Sequence, residues 1–96
     1  MNQYILLIHD NLKSDTTADE WTAFFTDAKQ SGLFKGGSEI GKRMVIGDAG
    51  AMTPTDHIVG YMRFDSDDKQ RILDLLQKHP VVMHGGCVEL CEMPKS

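Results

Sequence analysis

The sequence predicts an α+β domain of ferredoxin-like βαββαβ order: a four-stranded antiparallel sheet with two helices on one face. Three observations predict it. Two amphipathic segments, each opened by a capping residue, stand between apolar runs too short to be helices. Their order is strand, helix, strand, strand, helix, strand, which is the split βαβ pattern. The first run, Tyr4-Ile5-Leu6-Leu7-Ile8, does not alternate, so it carries apolar side chains to both faces of its sheet.

The whole chain, 1–96, reads as a single domain, with 41% hydrophobic and 25% charged residues, an ordinary globular balance. The formal charge is -4 and the ten Lys and Arg are scattered, with only Lys42-Arg43 adjacent. A nucleic-acid binder shows a basic stripe, so no nucleic-acid partner is expected. No apolar run is long enough to span a bilayer, so no membrane partner is expected. The first run lacks a basic lead-in and a small-residue cleavage site, which makes the cytoplasm the expected location.

Each element has its own local cause. Gln3 to His9 is the first strand, followed by a polar loop to Asp15. Thr17-Ala18-Asp19-Glu20 has the capping-box form, in which Glu20 reaches back to the cap amide. Trp21, Phe24, Phe25 and Ala28 then recur at helical spacing, and Gly32 is placed to end the helix in a left-handed conformation. Phe34 to Gly41, with three glycines, reads as a bulged or twisting strand rather than a nucleotide loop. Met44-Val45-Ile46 is strand-like, Gly47-Asp48-Ala49-Gly50 a turn, and Thr53-Pro54-Thr55-Asp56 a loop.

The strand from His57 to Phe64 is expected to put Ile58, Gly60, Met62 and Phe64 on one face. His57, Val59, Tyr61 and Arg63 then fall on the other. Asp65-Ser66-Asp67-Asp68 caps a second helix, with Ile72, Leu75, Leu76 and His79 as its stripe. Pro80 stops it, and His79 is expected to be a cation at the helix C-terminus. Val81 to Glu92 closes the sheet with a kink at Gly85-Gly86, and Pro94-Lys95-Ser96 is a tail. Two helices cover one sheet face only, and the first strand is apolar on both. The expected partner is therefore a second copy, a homodimer packed through the open sheet face.

Tyr4-Ile5-Leu6-Leu7-Ile8, Glu20-Trp21, Gly36-Gly37-Ser38-Glu39-Ile40-Gly41, Val59-Gly60-Tyr61, His79-Pro80 and Gly86-Cys87-Val88-Glu89-Leu90 together resemble the YCII-related family. The likeness runs over nearly the whole chain. It implies a ferredoxin-like fold that pairs into a dimeric α+β barrel. The chain departs from the family in two places. The Asp-Gly-Pro-Phe motif of the larger branch is absent, with Thr53-Pro54-Thr55-Asp56 in its neighbourhood. The His-Asp pair proposed for the YciI-like branch is also absent. His79 stands where the aspartate would be, and Glu20 or Trp21 where the histidine would be.

The candidate chemistry lies in the histidines. His9 and His57 stand at strand ends, each beside an aspartate in sequence, Asp10 and Asp56. His9, His57 and Asp56 are the candidate catalytic group, since a positioned imidazole is a general base when a substrate proton is within hydrogen-bond reach. Tyr61 and Arg63 share the expected His57 face, where Arg63 is placed to hold a carboxylate. Tyr61, Arg63 and His84 are the candidate ligand contacts. Cys87 and Cys91, four apart on a strand and so ~13 Å apart, suit neither a disulfide with each other nor a zinc site. They read as buried, reduced side chains. Glu89 lies on their face. No metal and no cofactor is expected. Function narrows to a small-molecule-binding homodimer, taking a small organic acid or an aromatic ligand. The alternative is a cofactor-independent enzyme working in a cleft at the sheet face, with isomerase, dehydrochlorinase-like or oxygenase-like chemistry by analogy with related barrels.

Overall fold

A computed structural model describes residues 1–95 of the chain. Strand β1 (Asn2–His9) leads to helix α1 (Ala18–Ser31), then β2 (Phe34–Glu39) and β3 (Ile58–Ser66). Helix α2 (Lys69–Leu76), a one-turn helix α3 (Pro80–Met83) and strand β4 (Val88–Met93) follow. The four strands form one antiparallel sheet in the order β2-β3-β1-β4. The class is α+β, and this order is compatible with the ferredoxin-like split. Of the expected tail Pro94-Lys95-Ser96, Ser96 lies outside the described residues.

The helix ends form where local chemistry demands. The Thr17 side chain accepts from the Glu20 amide at 3.2 Å, and the Glu20 carboxylate accepts from the Thr17 amide at 2.8 Å. Both halves of the capping box are therefore present. Gly32, at φ 74°, ends α1 in the left-handed region. Asp68 caps α2 by accepting from the Gln70 amide.

Register fixes which side chains meet. Tyr4, Leu6 and Ile8 of β1 face Phe64, Met62 and Gly60 of β3, and on this side lie Phe24 and Ala28 of α1, Ile72 and Leu76 of α2, and Val81 of α3. All the buried apolar residues form this one cluster. The other side of the sheet carries Gln3, Ile5, Leu7 and His9, facing Asp65, Arg63 and Tyr61 of β3 and Met93, Cys91 and Glu89 of β4. No helix buries a side chain there among the described residues. The Cα atoms span only 18 Å along the short axis, the depth of one helix layer on one sheet. The unbroken apolar run of β1 thus places half-buried Ile5 and Leu7 on an uncovered face.

Five expectations are corrected, the last of them at His79. A bulge between Ile8 and His9 brings His9 opposite Ile58 and leaves Val59 outside the regular register. Such a bulge reverses the faces beyond it, so Val59, not Ile58, packs against the core. Met44-Val45-Ile46 forms no strand. It lies exposed, Met44 at 87% and Ile46 at 92%, because a strand needs a ladder partner and the described residues offer it none. Residues from Val81 do not all belong to the closing strand. Pro80–Met83 is helical, with Pro at its first position, and the strand begins only at Val88. Cys87 is exposed and Cys91 half-buried, both as free thiols, so neither is a buried core residue.

The fourth helix-end expectation fails in an informative way. His79 is not a C-terminal cation. It is fully buried, 0% exposed, and its Nδ1 accepts from the Val81 amide at 3.2 Å as the N-cap of α3. Edge-to-face contacts hold its ring, with centroids 5.1 Å from Trp21 and 4.8 Å from Phe24. Burial disfavours the charged ring and lowers its pKa from 6.5 to about 4. His79 is therefore neutral, with the proton on Nε2, which has no hydrogen-bond partner among the described residues.

The sign of the resulting pH dependence follows. Between pH 6.5 and about 4 the unfolded chain binds a proton at His79 that the folded chain does not. Stability is complete above 6.5 and declines as the pH falls toward 4, by about 3 kcal/mol from this residue. Urea unfolding of the wild type and of His79→Phe over that range checks it. The pH-dependent loss in this window shrinks in the variant.

Candidate functional site

Two concave or chemically dense regions lie on opposite faces of the sheet. The first is a cavity of about 560 Å³ on the helix side. Its walls are Trp21 and Phe25 of α1, Val81 of α3, Leu12 of the loop after β1, and Ile8, Val59 and Met62 of the sheet. Gly37 and Gly60 border it with backbone alone. Gly37 approaches β3 so closely that a Cβ on it would stand 2.4 Å from the Tyr61 carbonyl oxygen. Polar side chains enter at Thr16 and Glu39, while Ser38, the register partner of Tyr61, borders the cavity with its backbone. The Trp21 indole N–H donates to Thr16 Oγ1 at 2.9 Å, which fixes the indole plane as one wall. An apolar pocket with a few oriented polar groups is the usual form of a small-molecule site.

The second region is the open sheet face. His9 Nε2 and Glu89 Oε1 are 2.5 Å apart across β1 and β4, a short, charge-assisted contact when the ring is protonated. The His57 ring lies 5.5 Å from that of His9. Tyr61 and Arg63 follow along β3 on the same face, opposite Leu7 and Ile5.

The six candidate residues separate accordingly. His9, His57, Tyr61 and Arg63 gather on the open face or at its end. His9 and Tyr61 also border the cavity, but register turns their side chains to the other face. Asp56 does not join His57 in a site. It is exposed, 92% at the side chain, and 3.5 Å from Arg43 Nη1. Arg43 also donates to the Ile58 carbonyl and so ties the loop after β2 to the start of β3. His84 stands apart from both regions, between Glu20 and Ser14. In sequence Glu89 shares a strand face with Cys87 and Cys91. Its pairing with His9 is a cross-strand relation between residues 80 apart, and no local pattern carries it. Among the described residues no group of three or more His, Cys, Asp or Glu is arranged to hold a metal ion.

The loop after β1 docks on the segment joining α3 to β4. The Lys13 amide donates to the His84 carbonyl, and the Cys87 amide donates to Asn11 Oδ1 at 2.9 Å. Asn11 in turn donates through Nδ2 to Cys87 Sγ at 3.1 Å. The two glycines between permit the approach. A Cβ on Gly86 would meet Val81 Cγ1 at 2.7 Å and Asn11 Oδ1 at 2.9 Å. Gly85, at φ 81°, lies under the Lys13 side chain.

No family model, curated protein or solved structure matches this chain. The site therefore rests on its own geometry.

Substituting Gly86→Ala crowds both Val81 and Asn11. The expected loss of stability is about 1–3 kcal/mol, the range for overpacking a close contact, and guanidinium unfolding measures it.

Proposed function

We propose that the protein is a small-molecule-binding homodimer whose ligand is a neutral or weakly polar aromatic compound held in the cavity between α1 and the β2–β3 side of the sheet. The observation that carries this reading is the cavity itself, with its apolar walls, fixed indole and small set of polar groups. Of the two ligand classes expected from the sequence, the lining favours the aromatic over the acid. It contains Glu39 and neither lysine nor arginine, so a carboxylate entering it would meet like charge. Trp21 and Phe25, 6.0 Å apart and tilted by 31°, offer ring surfaces for a flat ligand.

The dimeric part of the proposal, a barrel closed by two sheets, is supported by the uncovered face. Ile5, Leu7, Tyr61, Cys91 and Met93 are half-buried there, and a second copy packed sheet to sheet removes that apolar surface from water. The resemblance to the YCII-related family points the same way.

A second reading has one observation in its favour. The Glu89–His9 contact, with His57 beside it, supplies an oriented imidazole on the open face. In that reading the protein is a cofactor-independent enzyme using His9 as a general base within the cleft between the paired sheets.

Trp21 is the only tryptophan and lines the cavity, so its emission reports occupancy. Titration with phenol- and indole-sized aromatics is expected to quench or shift it saturably. Val59→Phe, which narrows the cavity, is expected to weaken that binding at least tenfold with the circular dichroism unchanged. No saturable change with any of these aromatics contradicts the reading. A ligand that perturbs the ring resonances of His9 and His57 but not Trp21 favours the second.

A further inference from the structure

Three side chains from three separate segments meet in line outside the cavity lining. Glu20 stands in the first turn of α1, His84 just after α3, and Ser14 in the loop after β1. Ser14 Oγ lies 2.7 Å from His84 Nδ1, and His84 Nε2 lies 2.7 Å from Glu20 Oε2. The other carboxylate oxygen accepts from the Thr17 amide at 2.8 Å, so the capping box fixes the acid in place. The hydrogen bond from His84, and after it that from the Thr17 backbone, hold the Glu20 pKa below its ordinary 4.5.

An ionised carboxylate only accepts hydrogen bonds. His84 therefore donates to it through Nε2, and the neutral ring is left with Nδ1 as an acceptor. Among the described residues the group at Nδ1 is the Ser14 hydroxyl, which donates. The result is an acid, an imidazole of fixed tautomer and a serine, each within hydrogen-bond reach of the next. This is the arrangement that activates a serine nucleophile, with the two ring nitrogens used in the opposite order to the serine-protease triad. His84 and Glu20 are each partly shielded, at 20% and 27% side-chain exposure, while Ser14 is exposed and open to a reagent.

The fold builds this contact. Ser14 reaches His84 because Gly85 and Gly86 let the loop after β1 lie against the segment after α3. Leu12 and Thr16, which flank Ser14 in the chain, both line the apolar cavity.

We propose that Ser14 is a nucleophile activated by His84 and Glu20, giving the protein an acyl-transfer activity toward small esters with an apolar acyl group. In the first step the Ser14 Oγ–H proton passes to His84 Nδ1 as Oγ bonds to the ester carbonyl carbon. The carbon–alkoxy bond then breaks, and the alcohol departs with the proton from His84. In the second step water gives its proton to His84 and attacks the acyl carbon. The acid is released and the proton returns to Ser14. No oxidant, metal or cofactor enters the balance.

The test uses the full-length protein with a fluorophosphonate probe, in which Oγ displaces fluoride at phosphorus. Tandem mass spectrometry is expected to place one probe per chain on Ser14, and Ser14→Ala is expected to lose it. His84→Gln and Glu20→Gln, the latter able to keep the capping box, are expected to slow labelling at least tenfold. p-Nitrophenyl butyrate is expected to give a burst of nitrophenol matching butyryl-Ser14 by mass. Ser14 labelled no faster than the other serines of the folded wild type would overturn the proposal. So would His84→Gln and Glu20→Gln proteins labelled at the wild-type rate.

Discussion

The constraint on which the structure depends is that β1 is apolar on both faces while the chain has helices for only one. Its even-numbered residues, Tyr4, Leu6 and Ile8, are sealed by α1, α2 and α3 in one core. Its odd-numbered residues, Ile5 and Leu7, sit in the middle of a sheet face that nothing among the described residues covers. As the inner strand between β3 and β4, β1 cannot turn this surface to an edge. Burying it takes another molecule, and a second copy brings a sheet of the same twist and spacing. The proposed dimer follows from that surplus. The cavity lies on the covered side, where α1 and α3 meet the sheet beneath Trp21 and Phe25.

The α2–α3 junction sets the shape of the covered side. Pro80 ends the path of α2 and starts α3, while His79 caps that turn and wedges between Trp21 and Phe24. An uncharged ring suits this place because a charged one would be desolvated without a partner. The same turn carries Val81 to the cavity wall and delivers His84 and the Gly85-Gly86 pair to the loop after β1. One buried histidine thereby positions both the cavity and the Ser14–His84–Glu20 relay. In the resemblance to the YCII-related family, His79 stands where the YciI-like branch has an aspartate. In this chain that place holds a neutral structural residue, and the oriented acid is Glu20 on α1.

What was legible in the sequence was local. The capping box at Thr17 and Glu20, the Gly32 stop, the Asp68 cap and the apolar stripe of α1 depend on residues within a few positions of each other, and the structure contains each. The two-faced pattern of β1 gave the topology its uncovered side. What was not legible depended on distant partners. The bulge that turns Val59 to the core arises from pairing with β1. The His9–Glu89, His84–Glu20 and Ser14–His84 contacts join residues 80, 64 and 70 apart. Met44-Val45-Ile46 had strand composition, but pairing is decided by a neighbour the chain does not supply. Pro80 is a helix stop by sequence. It is also a favoured first residue of a helix, and His79 before it has a cap-forming side chain.

The measurement that tests the central claim most directly is the solution mass by size-exclusion chromatography with light scattering at micromolar concentration. The account predicts twice the 10.7 kDa of one chain for the wild type, and the mass of one chain for Leu7→Glu, which sets a charge in the middle of the open face. A wild-type protein that runs as a stable single chain would contradict it, because the apolar face of β1 would then stand in water without a partner.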